Sequence, residues 1–307
     1  MRMNARPVFA VALLAACFSH APRAAAREDQ FLMPEQSAAK AKQVLAQAIE
    51  ALGGSAYLNV RDATCTGHIS QFDTQGELSE YVELNDIRQF PDKARIEYIG
   101  KGRHTILQYL GGIDGLEFSH GGIIISLFNG DRGWTYDRSG VSELPAESIS
   151  EFQEEMKRNT DNLLRYHLKD PNMVFRYGGT DVVDLKQAEW VELVDSEDRT
   201  IRIAFELATH LPIRKTVEIR DPKTRRKSQE VDVYSNYHPV GGIQTPLQVT
   251  RERNSIKVSQ VFFEKCDLNT NLPDALFTRE SLDQRWAQSP DKNKYKDKKD
   301  KGDRDRN

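Results

Sequence analysis

Cysteine is nearly absent, with three in 307 residues, and so are the short motifs that mark nucleotide, metal or acyl chemistry. No P-loop, no GxGxxG after a strand, no HExxH, no CxxC and no GxSxG occurs. Nucleotide hydrolysis, nicotinamide redox chemistry, zinc peptidase and serine esterase mechanisms therefore lack their usual carriers. Surplus positive charge is missing too. A net charge of -3 gives no electrostatic reason to bind a polyanion, so no nucleic acid partner is expected. After residue 18 no apolar run approaches the roughly 20 residues that cross a bilayer. His68, His104, His120, His167, His210 and His238 stand singly, without the spacing of metal ligands. No metal and no cofactor are expected.

The N-terminus carries an address. Met1–Arg6 is short and basic, Pro7–Phe18 is apolar, and Ala24-Ala25-Ala26 is a small-residue run, the pattern of an export signal over 1–26. A periplasmic location follows, where nucleoside triphosphates are scarce. Leu14-Ala15-Ala16-Cys17 also has the shape of a lipobox, so a membrane-anchored lipoprotein with its lipid on Cys17 is the alternative. About 280 residues then remain, enough for one large β domain. Within them Cys65 and Cys266 either form a bridge that closes a very long loop or remain buried thiols.

Downstream, Ala41, Val44, Leu45, Ala48, Ile49 and Leu52 recur at helical spacing before Gly53-Gly54, which predicts an amphipathic helix with a glycine stop. The period then drops to two. Strands are expected around Cys65–Phe72, Leu78–Leu84, Ala94–Tyr98, Thr105–Leu110, Ile123–Phe128 and Trp134–Tyr136, joined by turns such as Pro91-Asp92 and Asn129-Gly130-Asp131. Gly122–Phe128 is apolar on successive residues, so both of its faces must be covered by a helix, a second sheet or a bound apolar ligand.

A second helix is expected over Ala146–Lys169, with Ser148 and Glu151 at capping-box spacing and Asp170-Pro171 as its end. More strands follow over Thr200–Leu207, Leu211–Arg220, Gln229–Tyr237, Gln244–Arg253 and Ile256–Cys266, and Leu276-Phe277 is the last apolar anchor. Ser289–Asn307 is charged and polar and reads as a disordered tail.

Few residues invite chemistry. His120-Gly121-Gly122 is more simply a hairpin turn than an oxyanion loop, because no nucleophile elbow accompanies it. Glu83, Glu97, Glu192 and Glu206 fall where the wet face of a strand would put them, and nothing selects an acid–base pair, so no catalytic residue is assigned. Arg220, Lys223, Arg225, Arg226 and Lys227 form the densest cationic cluster, a solvated hairpin tip or a contact for anionic headgroups.

Taken in order, the signal, the helix ending in Leu52-Gly53-Gly54, FPDKARIEY at Phe90–Tyr98, NGDRGWTYDRSG at Asn129–Gly140 and THLPIRK at Thr209–Lys215 resemble the LolA/LolB/LppX-like lipoprotein-sorting and lipid-carrier group. Gly130, Trp134, Tyr136 and Asp137 resemble that group's hairpin, while Phe90 stands where the sorting chaperone tends to place a basic residue. The resemblance implies a mainly β (α+β) fold over 36–286: an incomplete antiparallel β-barrel, a strongly curved sheet with two or more helices lidding its concave face. Residues 27–35 would be a linker and 287–307 the charged tail.

The implied activity is non-enzymatic. A monomeric carrier or chaperone would hold lipid or lipoprotein acyl chains, with a membrane-bound donor or acceptor protein as a further partner. Phe90, Phe128, Trp134, Tyr136, Phe152 and Trp190 are the large residues expected to line the hydrophobic ligand site. The alternative is an envelope sensor or partner-binding module whose core is filled by its own side chains. A hydrolase using an unrecognised carboxylate or histidine pair is the third reading.

Overall fold

A computed structural model describes residues 32–100, 122–220 and 227–291. The export signal with Cys17, the expected strand Thr105–Leu110, His104 and His120, the basic tip at 221–226 and the tail beyond Asp291 lie outside them.

Helix α1 (Pro34–Leu52) ends where Gly53 takes φ 128°, and the short α2 (Gly54–Leu58) follows. Glycine is the residue for that stop. A side chain there would also meet the Gly242 carbonyl at 3.0 Å. Three strands come next: β1 (Asp62–Phe72), β2 (Leu78–Gln89) and β3 (Lys93–Ile99). After the undescribed segment come β4 (Ile123–Asn129), β5 (Arg132–Asp137) and β6 (Gly140–Glu143). Helices α3 (Ala146–Arg158) and α4 (Thr160–Arg165) separate these from β7 (Val174–Val183), β8 (Lys186–Val194), β9 (Thr200–Glu206) and β10 (Pro212–Arg220). The chain closes with β11 (Lys227–Val240), β12 (Ile243–Arg253), β13 (Ile256–Leu268) and α5 (Arg279–Ala287).

The expected single helix over Ala146–Lys169 is thus two helices and a 3-10 turn at His167–Lys169. Asn159 breaks it, with extended backbone at ψ 133° and a side chain that accepts from the Asn162 amide at 3.2 Å. An asparagine N-cap starts a new helix in the middle of an apolar periodicity that does not register the break. The first of the pair begins after Pro145, and Ser148 is buried inside its first turn rather than capping it. Strands β6, β7 and β8 are additions to the expected set: β6 has four residues and β7 is exposed along most of its length, so neither shows a clean two-residue apolar period, whereas β8 does alternate in burial over Trp190–Val194.

Among the described residues thirteen strands form one antiparallel sheet in the order β6-β5-β4-β3-β2-β1-β13-β12-β11-β10-β9-β8-β7, with β6 and β7 at its two ends. It is an open sheet, and one helical turn shows how strongly it bends. Phe152 of α3 stacks on Phe128 of β4 at 4.1 Å between ring centroids, while Glu154 binds Arg199, just before β9. Strands β4 and β9 are eight places apart in the sheet, roughly 38 Å if it were flat. Two side chains two residues apart can bridge them only if the sheet wraps around α3. Helix α3 therefore lies in the concave face of an incomplete barrel.

Two apolar cores flank the middle of that face. One joins Ile69, Leu84, Ile96, Ile124 and Phe128 to Leu144 and Phe152. The other packs α1, Tyr57 and Leu163 on Val191, Leu193, Ile201, Ile203 and Phe205. The two-sided strand β4 is covered on its convex face by α5, since Ile123, Ile125 and Leu127 cluster with Trp134, Tyr136 and Leu282, and Trp286 packs at the edge. Of the three covers that the sequence allowed for this strand, a helix is the one used. Trp286 meets Tyr136 edge-on at 6.2 Å and lies against Gly140. We expect Trp286→Ala to cost about 2 kcal/mol, read as a lower urea midpoint; an unchanged midpoint would mean that Trp286 adds nothing to the cover that Leu282 provides.

Candidate functional site

The centre of the sheet, β1, β13 and β12, is where the two cores fail to meet. A cavity of about 190 Å³ lies there between the concave face and the segment from α3 to α4. The middle of its floor is an apolar strip, Ala63 and Cys65 of β1, Val249 of β12, and Val261, Phe263 and Leu268 of β13, bordered by Asp86 and Arg88 of β2 and by Asp232, Tyr234 and Arg251. Met156 closes it from above, and Phe90 and Tyr57 stand at its side. Alternation puts Ala63 with Cys65 and Val261 with Phe263 on one face, the bulge opposite Thr66-Gly67 brings Leu268 to that same face, and the register sets Val249 opposite Val261.

Cys65 and Cys266 are register partners on β1 and β13, with Cα atoms 4.1 Å apart, and their sulfurs are bonded. The bridge ties the first strand to the last at the cavity floor.

The roof is fastened by charge. Arg251 on β12 reaches Glu155 of α3 at 2.6 Å and forks onto Asp232 of β11 at 2.8 Å. Lys215 of β10 meets the same aspartate at 2.6 Å and donates to the Arg158 carbonyl at 3.2 Å. Arg158 in turn pairs with Glu155 at 3.2 Å and Glu230 at 3.4 Å. A hydrogen bond between Thr160 and Tyr234 at 2.8 Å adds a neutral tie.

Burial alone would push the Glu155 carboxyl up, but Arg251, Lys215 and Arg158 overrule it and hold it down at about 2. The same contest, again settled by Arg251 and Lys215, keeps the Asp232 carboxyl far below the usual carboxylate range. Burial pushes the phenols of Tyr234 and Tyr237 up; Asp232 adds to the rise at Tyr234, and Arg251 and the Thr160 hydroxyl offset it only in part. Pairing makes these buried charges tolerable, since either sign left alone at 3–6 % side-chain exposure is costly.

The six large residues expected at the ligand site separate. Phe90 is in the cavity wall. Phe128 and Phe152 stack on each other in the flanking core, 0 % and 2 % exposed. Trp134 and Tyr136 share a face with Leu127, which alternates with Phe128, so they lie on the convex side under α5. Trp190 is opposite Ala204, also away from the cavity, with Arg202 over its ring at 4.7 Å. Which face of a strand is concave depends on where the helices dock, and strand alternation does not carry that.

Tyr57, Met156, Val249 and Arg165 were not singled out from sequence. The Asn159-Thr160-Asp161 run, a helix-start signature inside an apparent helix, was the available signal for Arg165's placement.

Among the described residues no group of three His, Cys, Asp or Glu side chains could hold a metal ion. No described helix is long and apolar enough to cross a membrane. His68 pairs with Glu264 at 3.1 Å.

No family model and no curated protein matches the sequence. Among solved structures the chain is similar to a DUF1329 family protein from Desulfovibrio piger, at 14% identity and a TM-score of 0.49 over 79% of this chain and 98% of that one. It is also similar to a LolA superfamily protein from Nitrosomonas europaea, at 12% identity and a TM-score of 0.49, covering 79% of this chain and 99% of the other. The same holds for a domain assigned to outer membrane lipoprotein sorting from Vibrio parahaemolyticus, at 13% identity and a TM-score of 0.48, over 79% and 99% of the two chains.

Proposed function

We propose that this chain is a carrier or chaperone of the bacterial envelope that holds a lipid or lipoprotein acyl chain between the concave face and the α3–α4 roof. One observation supports the reading above others: the middle of the sheet keeps a hollow with an apolar strip on its floor, between two clusters of buried apolar side chains. Bonded Cys65 and Cys266 accord with an oxidising compartment, and so with the export signal over 1–26 and a periplasmic location. Lipid attachment at Cys17 would anchor the same carrier to a membrane.

At about 190 Å³ the hollow is small for a long tail, and on this reading the roof lifts to admit one. The ion pairs of Glu155, Arg158 and Lys215 would then act as the fastening that yields.

Native mass spectrometry of the exported protein tests the reading. We expect a co-purifying lipid mass on the wild type that is absent from Val249→Trp, which fills the floor. A wild-type spectrum free of lipid would discard the carrier.

A second reading, a sensor or partner-binding module with a filled core, draws on the same volume. The hollow is smaller than the roughly 300–1,000 Å³ of pockets that enclose drug-sized ligands. Pull-downs returning protein and no lipid would favour it.

A further inference from the structure

Arg165, at the end of α4, is buried with donors to spare. Its side chain is 4 % exposed and it belongs to the cavity wall. The guanidinium is sandwiched, its carbon 4.4 Å from the Tyr57 ring and 4.6 Å from the Phe90 ring. Nε and Nη1 have no acceptor and are sealed from water. The remaining nitrogen, Nη2, lies 3.5 Å from Asp161 Oδ1, long for a hydrogen bond. That oxygen already accepts from the Tyr57 hydroxyl at 2.8 Å, and the Asp161 side chain is 44 % exposed.

The other carboxylates of the wall are engaged elsewhere. Asp86 takes the fork of Arg88 at 2.8 and 3.0 Å, and Glu155 and Asp232 share Arg251. An arginine stays charged throughout the accessible pH range, and a buried cation with unmade hydrogen bonds is costly to keep. Two aromatic rings cover the faces of this one. Only its in-plane edge remains for a partner, which suits a planar or tetrahedral oxyanion that accepts two parallel N–H bonds.

The geometry points to Arg165 as the site that receives an anionic group, phosphate or carboxylate, at the polar end of the bound ligand. This deepens the carrier reading and rests on it for the tail. The tail lies on the floor of Val249, Val261 and Phe263, and the head reaches the arginine between Tyr57 and Phe90. Nε and Nη1 open to the head when the side chain turns within the ring sandwich or the roof lifts.

Calorimetry on the delipidated full chain, as exported, tests this with three probes: palmitoyl lysophosphatidate, monopalmitoylglycerol and inorganic phosphate. We expect the wild type to bind the lysophosphatidate about tenfold or more tighter than the uncharged glyceride. Arg165→Met, which keeps a stem between the rings, should bring that ratio to about one and leave glyceride affinity within about twofold. Should the methionine variant fail to fold by circular dichroism, Arg165→Lys keeps the charge without the fork, and the ratio should still drop severalfold.

Equal binding of the two amphiphiles by the wild type, or a preference that survives both substitutions, overturns the inference and leaves the carrier standing. Inorganic phosphate bound through Arg165 with neither amphiphile bound supports the anion site, makes a free anion its ligand and overturns the carrier. No binding of any probe overturns both.

Discussion

Replacing Cys65 and Cys266 together by serine should lower stability by about 3–5 kcal/mol. The bridge spans 201 residues, and the chain-entropy model gives about 5 kcal/mol for closing so long a loop in the unfolded ensemble. It also links β1 and β13, whose pairing joins the N-terminal meander to the C-terminal one, the step with the longest sequence separation in the sheet. For a domain of this size, about 2–4 °C of melting temperature goes with each kcal/mol, so a fall of about 10 °C is expected. Wild type measured under reducing conditions should match the double serine variant. A midpoint that moves by less than about 0.5 kcal/mol in both experiments would show that sheet pairing alone holds the two ends together.

Asp232→Ala should cost a comparable 3–5 kcal/mol, because it leaves Lys215 and Arg251 buried without their shared carboxylate. The loss is conditional on the positive charges that remain. Lys215→Met combined with Asp232→Leu removes both signs, and it should cost less than Asp232→Ala alone.

The same network sets a pH dependence with a definite sign. The carboxyls of Glu155 and Asp232 are held below their unfolded values in the fold. Their stabilisation is therefore complete above the unfolded pKa of about 4, and it is lost as pH falls from about 5 towards 2. Hydrogen exchange should show α3 and α4 losing protection in that window before the flanking strands do. Uniform loss across the sheet would mean that the roof does not open as a unit.

The polar fastening bears on the function proposed. A roof held by packing alone would open only by exposing apolar area, whereas one held by Arg251, Lys215 and Arg158 can exchange partners. That exchange would suit a carrier that must release its load at a membrane-bound acceptor. Lipid release that is insensitive to Asp232→Ala would count against it.

Sequence alone determined the local elements, because they depend on near neighbours. The stripe from Ala41 to Leu52 and its glycine stop gave α1, the alternation in Ile201, Ile203 and Phe205 gave β9, and the turn residues around Asn129-Gly130 gave the β4–β5 hairpin. It also showed that β4 needs cover on both faces, since seven apolar-rich residues in a row leave no wet side.

Only the tertiary structure decided what provides that cover, which face of the sheet is hollow, and that Trp134 and Tyr136 pack against α5. It also placed Arg165 between Tyr57 and Phe90, residues 108 and 75 positions away along the chain. The reason is physical. A two-residue period says that a strand has two faces, but the face that becomes concave is fixed by the direction in which the sheet curls and by the helices it encloses. Both are properties of strands brought together from opposite ends of the sequence.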